Sequence, residues 1–390
     1  MPATRHNTVA ERRSRIARRH GLAPAHRAGD VVDAARRVVC LHGTDPATIV
    51  LSAQARVEGM TVADLEGALY RDRSLVKHLA MRRTLFVFPR ERLADAQGGA
   101  SDRVAGQERR RLTALVEKTG LRRKGARWLE QVSGQVLAAL SDGRERTFAE
   151  LRDEVPLLDG AVAYGEGTAW AGVTPIGPRV LTVLSASGAI VRATNAGPWT
   201  TSRPRWAAMA PWLGAPLEPR SEADGTAGLV EAWLRAFGPG TDTDIAWWLG
   251  STLTAVRRAL ATVRAVAVDI DGRVGYVLPD DVDDVGPVAP WIALLPPLDP
   301  TTMGWKERDW YLGPHKAQVF DRNGNAGATI WSDGRIVGGW RLQKAGVEVQ
   351  LLEDVGRAAR GAIDAEAARL TRWLAGVRVL PRFPSPLCKA

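Results

Sequence analysis

The sequence predicts an α+β chain of three tandem helix–helix–ribbon units, with linking helices between them and a mixed β/α part at the C-terminal end. Three observations carry this prediction. A helix-start motif recurs, each copy is followed by a strand-like run, and 390 residues exceed one ordinary domain. The motif reads T-x-x-[DE]-[LI] and opens at Thr61, Thr147 and Thr241, spacings of 86 and 94 residues. The threonine hydroxyl caps the helix start, and the acid at the third helical position reaches back to the cap or favours the helix dipole.

Each start has a similar continuation. After Thr61 a second helix is expected over Ser74–Met81 and a strand over Thr84–Phe88. After Thr147 the corresponding pieces are Gly177–Ala186 and Ile190–Arg192. After Thr241 they are Ser251–Thr262 and two alternating runs, Val266–Ile270 and Val274–Leu278, joined by Asp271-Gly272. Asp-Gly between alternating apolar runs signals a hairpin. Helix, helix and ribbon in that order are the parts of a winged helix, whose second helix enters a groove while the ribbon touches the backbone. Glu91–Lys118 and Gly125–Leu140 read as linking helices. Residues 196–220, carrying Trp199, Trp206 and Trp212, and residues 280–300 read as Pro/Gly-rich loops. Beyond residue 300, Ala328–Trp331 and Arg335–Trp340 flank a Ser-Asp-Gly turn, Val347–Leu352 reads as a strand and Ile363–Leu374 as a helix. The expected divisions are 1–100, 101–220, 221–300 and 301–390. Trp247, Trp248 and Trp291 lie in apolar runs and are expected to pack in the core.

Charge points to a polyanion. The net charge is +10 and the isoelectric point about 10.2. Residues 1–40 hold nine Arg against three acids, and residues 103–127 hold nine Lys/Arg against two. Neutralising phosphates with such clusters releases counterions and favours binding. The same composition also fits a soluble basic surface or a polyanion-binding scaffold. No apolar run of membrane-spanning length occurs, and no apolar stretch follows the basic N-terminus as in a secretory leader. Cys40 and Cys388 and six scattered histidines form no metal-ligand spacing, so a reducing cytoplasm and no metal or other cofactor are expected.

No nucleotide loop, nucleophile elbow or paired-carboxylate motif stands out. The unusual stretch is Leu41-His42-Gly43-Thr44-Asp45-Pro46, after a helix that starts near Asp30 and carries Arg36 and Arg37. Gly43 allows a tight turn, and Pro46 stops the preceding helix from continuing. Read alone, the stretch is a helix C-terminus with polar punctuation. A neutral His42 could accept a proton from water, since the unperturbed histidine pKa is about 6.5. Thr44 could orient that water, and Asp45 could help electrostatically or cap the next turn.

Several strings resemble the AlkZ/YcaQ winged-helix DNA glycosylases. They are Asp45-Pro46, Ala55-Arg56-Val57, Arg73-Ser74-Leu75-Val76, Met81-Arg82-Arg83-Thr84-Leu85, the segment Asp299 to Arg308, and Asp333 to Trp340. The resemblance spans about residues 10–380. It implies three winged helices around a C-shaped basic channel, and monofunctional removal of alkylated purines, bulky adducts and crosslinks included, in repair or in self-resistance to an alkylating natural product. It also implies a double-stranded, damaged DNA partner, here expected to meet a monomer. The family's catalytic pair, Gln-x-Gln or Gln-x-Asp, falls on His42 and Thr44, a departure from the pattern. Arg36, Arg37, Arg56, Arg82, Lys306, Arg308, His315, Lys316 and Arg335 are the expected DNA contacts, and Arg322 and Asn323 the tip of a hairpin that enters the minor groove. The alternative is a winged-helix protein, a regulator or a homologue without chemistry, that binds double-stranded DNA.

Overall fold

The computed structural model describes residues 5–164, 167, 171–382 and 384–389; the side chain of Cys388 lies outside the described residues. After α1 (Val9–Arg19), the first unit runs α2 (Val31–Arg37), β1 (Leu41–His42), α3 (Pro46–Gln54), α4 (Val62–Glu66), β2 (Leu75–Ala80) and β3 (Thr84–Pro89). Its sheet order is β1-β3-β2, with His42 opposite Phe86. A helical bridge, α5 (Leu93–Ala96) and α6 (Asp102–Lys118), leads to the second unit. That unit comprises α7 (Gly125–Ala139), α8 (Phe148–Glu154), an inserted hairpin β4 (Ala161–Tyr164) and β5 (Gly172–Pro175), α9 (Gly177–Ala186), β6 (Ile190–Asn195) and β7 (Pro204–Ala208). After α10 (Met209–Leu213), the third unit is α11 (Glu222–Phe237), α12 (Asp242–Leu249), α13 (Leu253–Thr262), β8 (Val266–Ile270) and β9 (Arg273–Val277).

All three units share one order: a helix, a short bridging strand onto the hairpin, two helices and the hairpin. The bridging strand is β1 in the first unit. It shrinks to Arg146 opposite Trp206 in the second and Gly240 opposite Tyr276 in the third. This order is consistent with a winged helix.

The three motif threonines form capping boxes, each accepting the N–H of the acid three residues on while that acid accepts the threonine's own N–H. Their registration differs from the expected repeat. Thr147 and Thr241 cap the helix that follows the bridging strand, whereas Thr61 caps the next helix along. The first-unit counterpart of Thr147 and Thr241 is Asp45, which caps α3 through the Ala47 N–H. Ser74–Met81 is accordingly not a helix: Leu75–Ala80 is a strand paired along its length with β3. Six buried or half-buried positions suit a two-sided strand as well as one helical face, and the cross-strand ladder decides between them. The 196–220 loop likewise contains β7 and α10, and the 280–300 loop contains β10 (Ile292–Leu295).

Beyond β10 come α14 (Asp309–Leu312), α15 (Lys316–Val319), β11 (Thr329–Ser332), β12 (Arg335–Gln343), β13 (Gly346–Leu351), α16 (Gly356–Leu374) and α17 (Pro386–Lys389). Strands β10 to β13 form one antiparallel sheet. Ile363, Leu370 and Leu374 of α16 share a core with Trp340 of that sheet and with Ala47 and Leu51 of α3. The largest core runs from Leu41 and Val87 through Trp233 to Trp305 and Trp331, joining the first and third units to the C-terminal part, while a separate core surrounds the second unit.

One buried ion pair fastens α3 to the C-terminal part. Arg56 holds Asp299 with both terminal nitrogens, at 2.8 and 2.7 Å. Both side chains are fully buried. The Ser52 hydroxyl donates to the same carboxylate at 2.7 Å, and Arg56 also donates to the Thr301 hydroxyl at 2.8 Å. Burial alone would raise the Asp299 pKa, yet the Arg56 charge and these hydrogen bonds hold it below the usual carboxylate range. Removing one partner strands the other charge, so Arg56→Met should cost about 3–5 kcal/mol of unfolding free energy in urea melts. Thr147→Ala, which removes a surface cap, should cost about 1 kcal/mol. Equal losses for the two variants would contradict this assignment.

Candidate functional site

His42 ends up at this junction because β1 is only two residues long and pairs with β3. Past it, the Gly43 N–H donates to the Leu85 carbonyl at 2.8 Å. A Cβ on Gly43 would lie 3.1 Å from that oxygen, so close approach to β3, rather than a tight turn, calls for glycine here. Pro46 does not stop a helix; it is the first residue of α3, where its missing N–H costs nothing.

His42 and Thr44 open onto a cleft of about 1090 Å³. The facing wall comes from the segment after Asp299. It contributes Lys306, Arg308, Lys316 and a tight loop from Asp321 to Asn325. Within that loop the Asp321 carboxylate accepts the N–H groups of Asn323 and Asn325 and the side-chain amide of Asn325, which leaves Arg322 and Asn323 at the rim. Arg82 completes the cleft from the turn between β2 and β3, where Arg82 and Arg83 both hold positive φ, 53° and 60°. Consecutive left-handed non-glycine residues cost about 1–2 kcal/mol each, strain that the surrounding packing must sustain.

Five cations line the cleft (Arg82, Lys306, Arg308, Lys316 and Arg322), and among the described lining residues Asp321 is the one carboxylate. The guanidiniums of Arg82 and Arg308 both stack on Trp247, 4.3 and 5.0 Å from its centroid, and Arg308 also lies 4.4 Å from the centre of Phe320. Burial, followed by the like charge of Arg308, lowers the Arg82 pKa. Trp247 is thus a wall of the cleft and not simply a core residue. A helix turns about 100° per residue, so neighbouring Trp247 and Trp248 cannot face the same way; Trp248 is the buried one.

His42 is buried, edge-on to Phe86 at 5.2 Å between centroids. Burial first, then the Arg82 charge, lower its pKa to about 3. It is therefore a neutral imidazole at physiological pH and a weak base, which corrects the expectation of titration near the ordinary value. The Thr44 N–H points at Nδ1 from 3.4 Å, an orientation that suits the tautomer with its proton on Nε2.

The remaining sequence candidates fall elsewhere. Asp45 is engaged at both carboxylate oxygens, by the N–H groups of Ala47 and Arg382, so it caps and braces rather than facing the cleft. Arg56 is the buried partner of Asp299 and offers no surface to a phosphate. Arg36 pairs with Glu91, and Arg37 with Asp33 and the carbonyls of Arg18 and His26. His315 and Arg335 both meet Glu353 and are not among the residues that line the cleft.

Tandem helix–hairpin units, the first of which shares with the C-terminal part a cleft of five cations and a neutral imidazole, define a class of chain built to meet a polyanion. The family within that class follows from comparison: a profile described as DNA glycosylase AlkZ-like matches residues 35–373, and the chain belongs to that family. A relative from Streptomyces sahachiroi, named interstrand DNA cross-link repair glycosylase, is 29% identical over 162 residues, 39% of this chain. That match spans 43% of the relative's length. The solved structure of Streptomyces sahachiroi DNA glycosylase AlkZ is similar in fold, with a TM-score of 0.74 at 20% identity, covering 96% of this chain and 98% of the other.

Three buried histidines set a pH dependence of stability. Burial lowers His20 and His42 to about 3 and His78 to about 4. The unfolded chain binds these protons near pH 6.5 and the folded chain does not, so stability is full above about pH 7 and falls as pH drops toward 4. Each histidine should remove about 1.4 kcal/mol per pH unit below about 6.5. Urea unfolding from pH 7.5 to 5 tests this, and a His42 imidazole NMR signal titrating near 6.5 would contradict it.

Proposed function

We propose that the protein is a monofunctional DNA glycosylase that hydrolyses the N-glycosidic bond of bulky or cationic N7-alkylguanine-type adducts, acting as a cytoplasmic monomer on damaged double-stranded DNA in repair or self-resistance. The observation that supports it best is the convergence of His42 and Thr44 with the Asp321–Asn325 loop and five cations in one cleft.

The chemistry suits those residues. An N7-alkylated guanine is already cationic and leaves without protonation, so no strong general acid is required. Departure develops positive charge on the sugar, and water must then reach C1′. The neutral imidazole of His42 and the Thr44 hydroxyl are polar groups that can fix that water by hydrogen bonds, a contribution of orientation rather than of proton abstraction. Phosphates gripped by the surrounding cations keep negative charge beside the developing sugar cation. Arg322 and Asn323, at the rim of a tight loop, can enter the minor groove and loosen the stack at the damaged step. An open cleft fits a bulky adduct better than an enclosed base pocket does.

Duplexes carrying N7-methylguanine and a bulkier N7-alkylguanine should release free base and leave an abasic site in an intact strand. His42→Ala and Thr44→Ala should slow single-turnover release by about 10- to 100-fold each, roughly 1.4–2.7 kcal/mol of transition-state stabilisation. No release from either duplex would overturn the enzyme reading and favour the non-catalytic DNA-binding alternative. A borohydride-trapped adduct on Lys306 or Lys316 would overturn the monofunctional one.

A further inference from the structure

Thr44 borders a second cleft, of about 380 Å³, distinct from the one that holds His42. It lies where the β2–β3 turn of the first unit meets α9 and β6 of the second. Its lining contains Arg83 and Leu85 from the first unit, Arg179 and Thr182 from α9, Arg192 from β6 and Arg382 from the C-terminal segment. Four arginines thus converge from four elements. Glu108 is the one carboxylate among the described lining residues, and it already holds Arg83 at 3.2 Å and Arg111 at 2.8 Å.

Arg192 is the informative residue. Its guanidinium stacks over Trp206, 5.2 Å from the ring centroid, and its Nε is buried with no hydrogen-bond partner. Burial and the like charge of Arg382 lower its pKa to about 10. Arg382 donates to the Thr44 carbonyl at 3.2 Å, which ties the cationic cluster to the loop that carries Thr44. An orphaned guanidinium nitrogen costs free energy unless an acceptor reaches it. Arginines converging from separate elements match the tetrahedral acceptor set of a phosphate.

We propose that this cleft is a phosphate-binding subsite, and that its occupant is a phosphodiester of the DNA backbone. The loop from His42 to Thr44 then stands between two anchored stretches of nucleic acid, one in each cleft. Only the choice of DNA over free phosphate rests on the function proposed above.

The test has two arms. In the first, inorganic phosphate and, separately, an undamaged duplex are titrated into the free protein at constant ionic strength, and the arginine Nε–Hε NMR signals of wild type are compared with those of Arg192→Gln. In the second, binding of an undamaged duplex is measured across salt concentrations for wild type, Arg179→Gln and Arg192→Gln. Arg179 is half-buried on α9 and stacks on no ring among the described residues, so its variant covers the case in which Arg192→Gln fails to fold. Each variant should weaken duplex binding about 10-fold and reduce the slope of log K against log salt by about 1. Unchanged affinity and slope in Arg179→Gln and in any folded Arg192→Gln would overturn the subsite while leaving the glycosylase reading intact. An Arg192 signal that moves with inorganic phosphate but not with duplex would overturn the assignment to DNA. Wild type that releases base normally while both variants lose duplex affinity supports both proposals together.

Discussion

The buried pair of Arg56 and Asp299 is the constraint on which the site depends. Arg56 lies just past the C-terminal end of α3, and His42 and Thr44 lie just before its N-terminal end. Asp299 begins the segment that supplies Lys306, Arg308 and the Asp321–Asn325 loop. Helix α3 is a rigid strut of nine residues, so pinning one end fixes where the other presents its loop. Further contacts reinforce the same junction: the Thr48 hydroxyl donates to the Pro297 carbonyl, and His20 meets Thr301 at 2.8 Å. An apolar substitute for the pair could be equally stable. The bidentate geometry adds a defined distance and orientation between the two walls, which apolar packing sets less tightly.

Electrostatics then divides the cleft into two roles. Guanidiniums and ammoniums surround it with little carboxylate to neutralise them, an arrangement that is stable in water and stronger once a polyanion displaces that water. His42 sits within this positive field and remains uncharged. An imidazolium there would add a sixth cation to the five that line the cleft. Burial against Phe86 and the nearby Arg82 charge keep it neutral, so it adds a polar group to the cleft without adding a cation. The left-handed turn at Arg82 and Arg83 places two neighbouring arginines in two different clefts, Arg82 with His42 and Arg83 with Arg192.

Much of the fold was legible in the sequence because local signals and tertiary structure agree. The Asp271-Gly272 turn, the three capping boxes and the helices over 125–139, 177–186 and 253–262 all have short-range causes. The register of the repeat was not legible. Asp45-Pro46 and T-x-x-[DE] are different chemical solutions to the same cap, and only the bridging strand onto the hairpin shows that Asp45, not Thr61, corresponds to Thr147 and Thr241. For the same reason the strand at Leu75–Ala80 was hidden, since its partner is known only from long-range pairing. At the site, sequence identified His42, Thr44, Arg82 and the Arg322–Asn323 tip as candidates, and these do share a cleft. It could not separate Arg56 from the others, because a buried arginine and a phosphate-binding arginine look alike until the partner, 243 positions away in the chain, is known.

On the function proposed above, one DNA duplex engages both walls of the cleft at once. Hydrogen–deuterium exchange of the free protein and of its complex with a duplex bearing N7-methylguanine tests it most directly. Slowed exchange is expected in residues 41–45 and, in the same complex, in residues 321–325. Protection confined to one of these segments, or found only on surfaces outside the cleft, would contradict it.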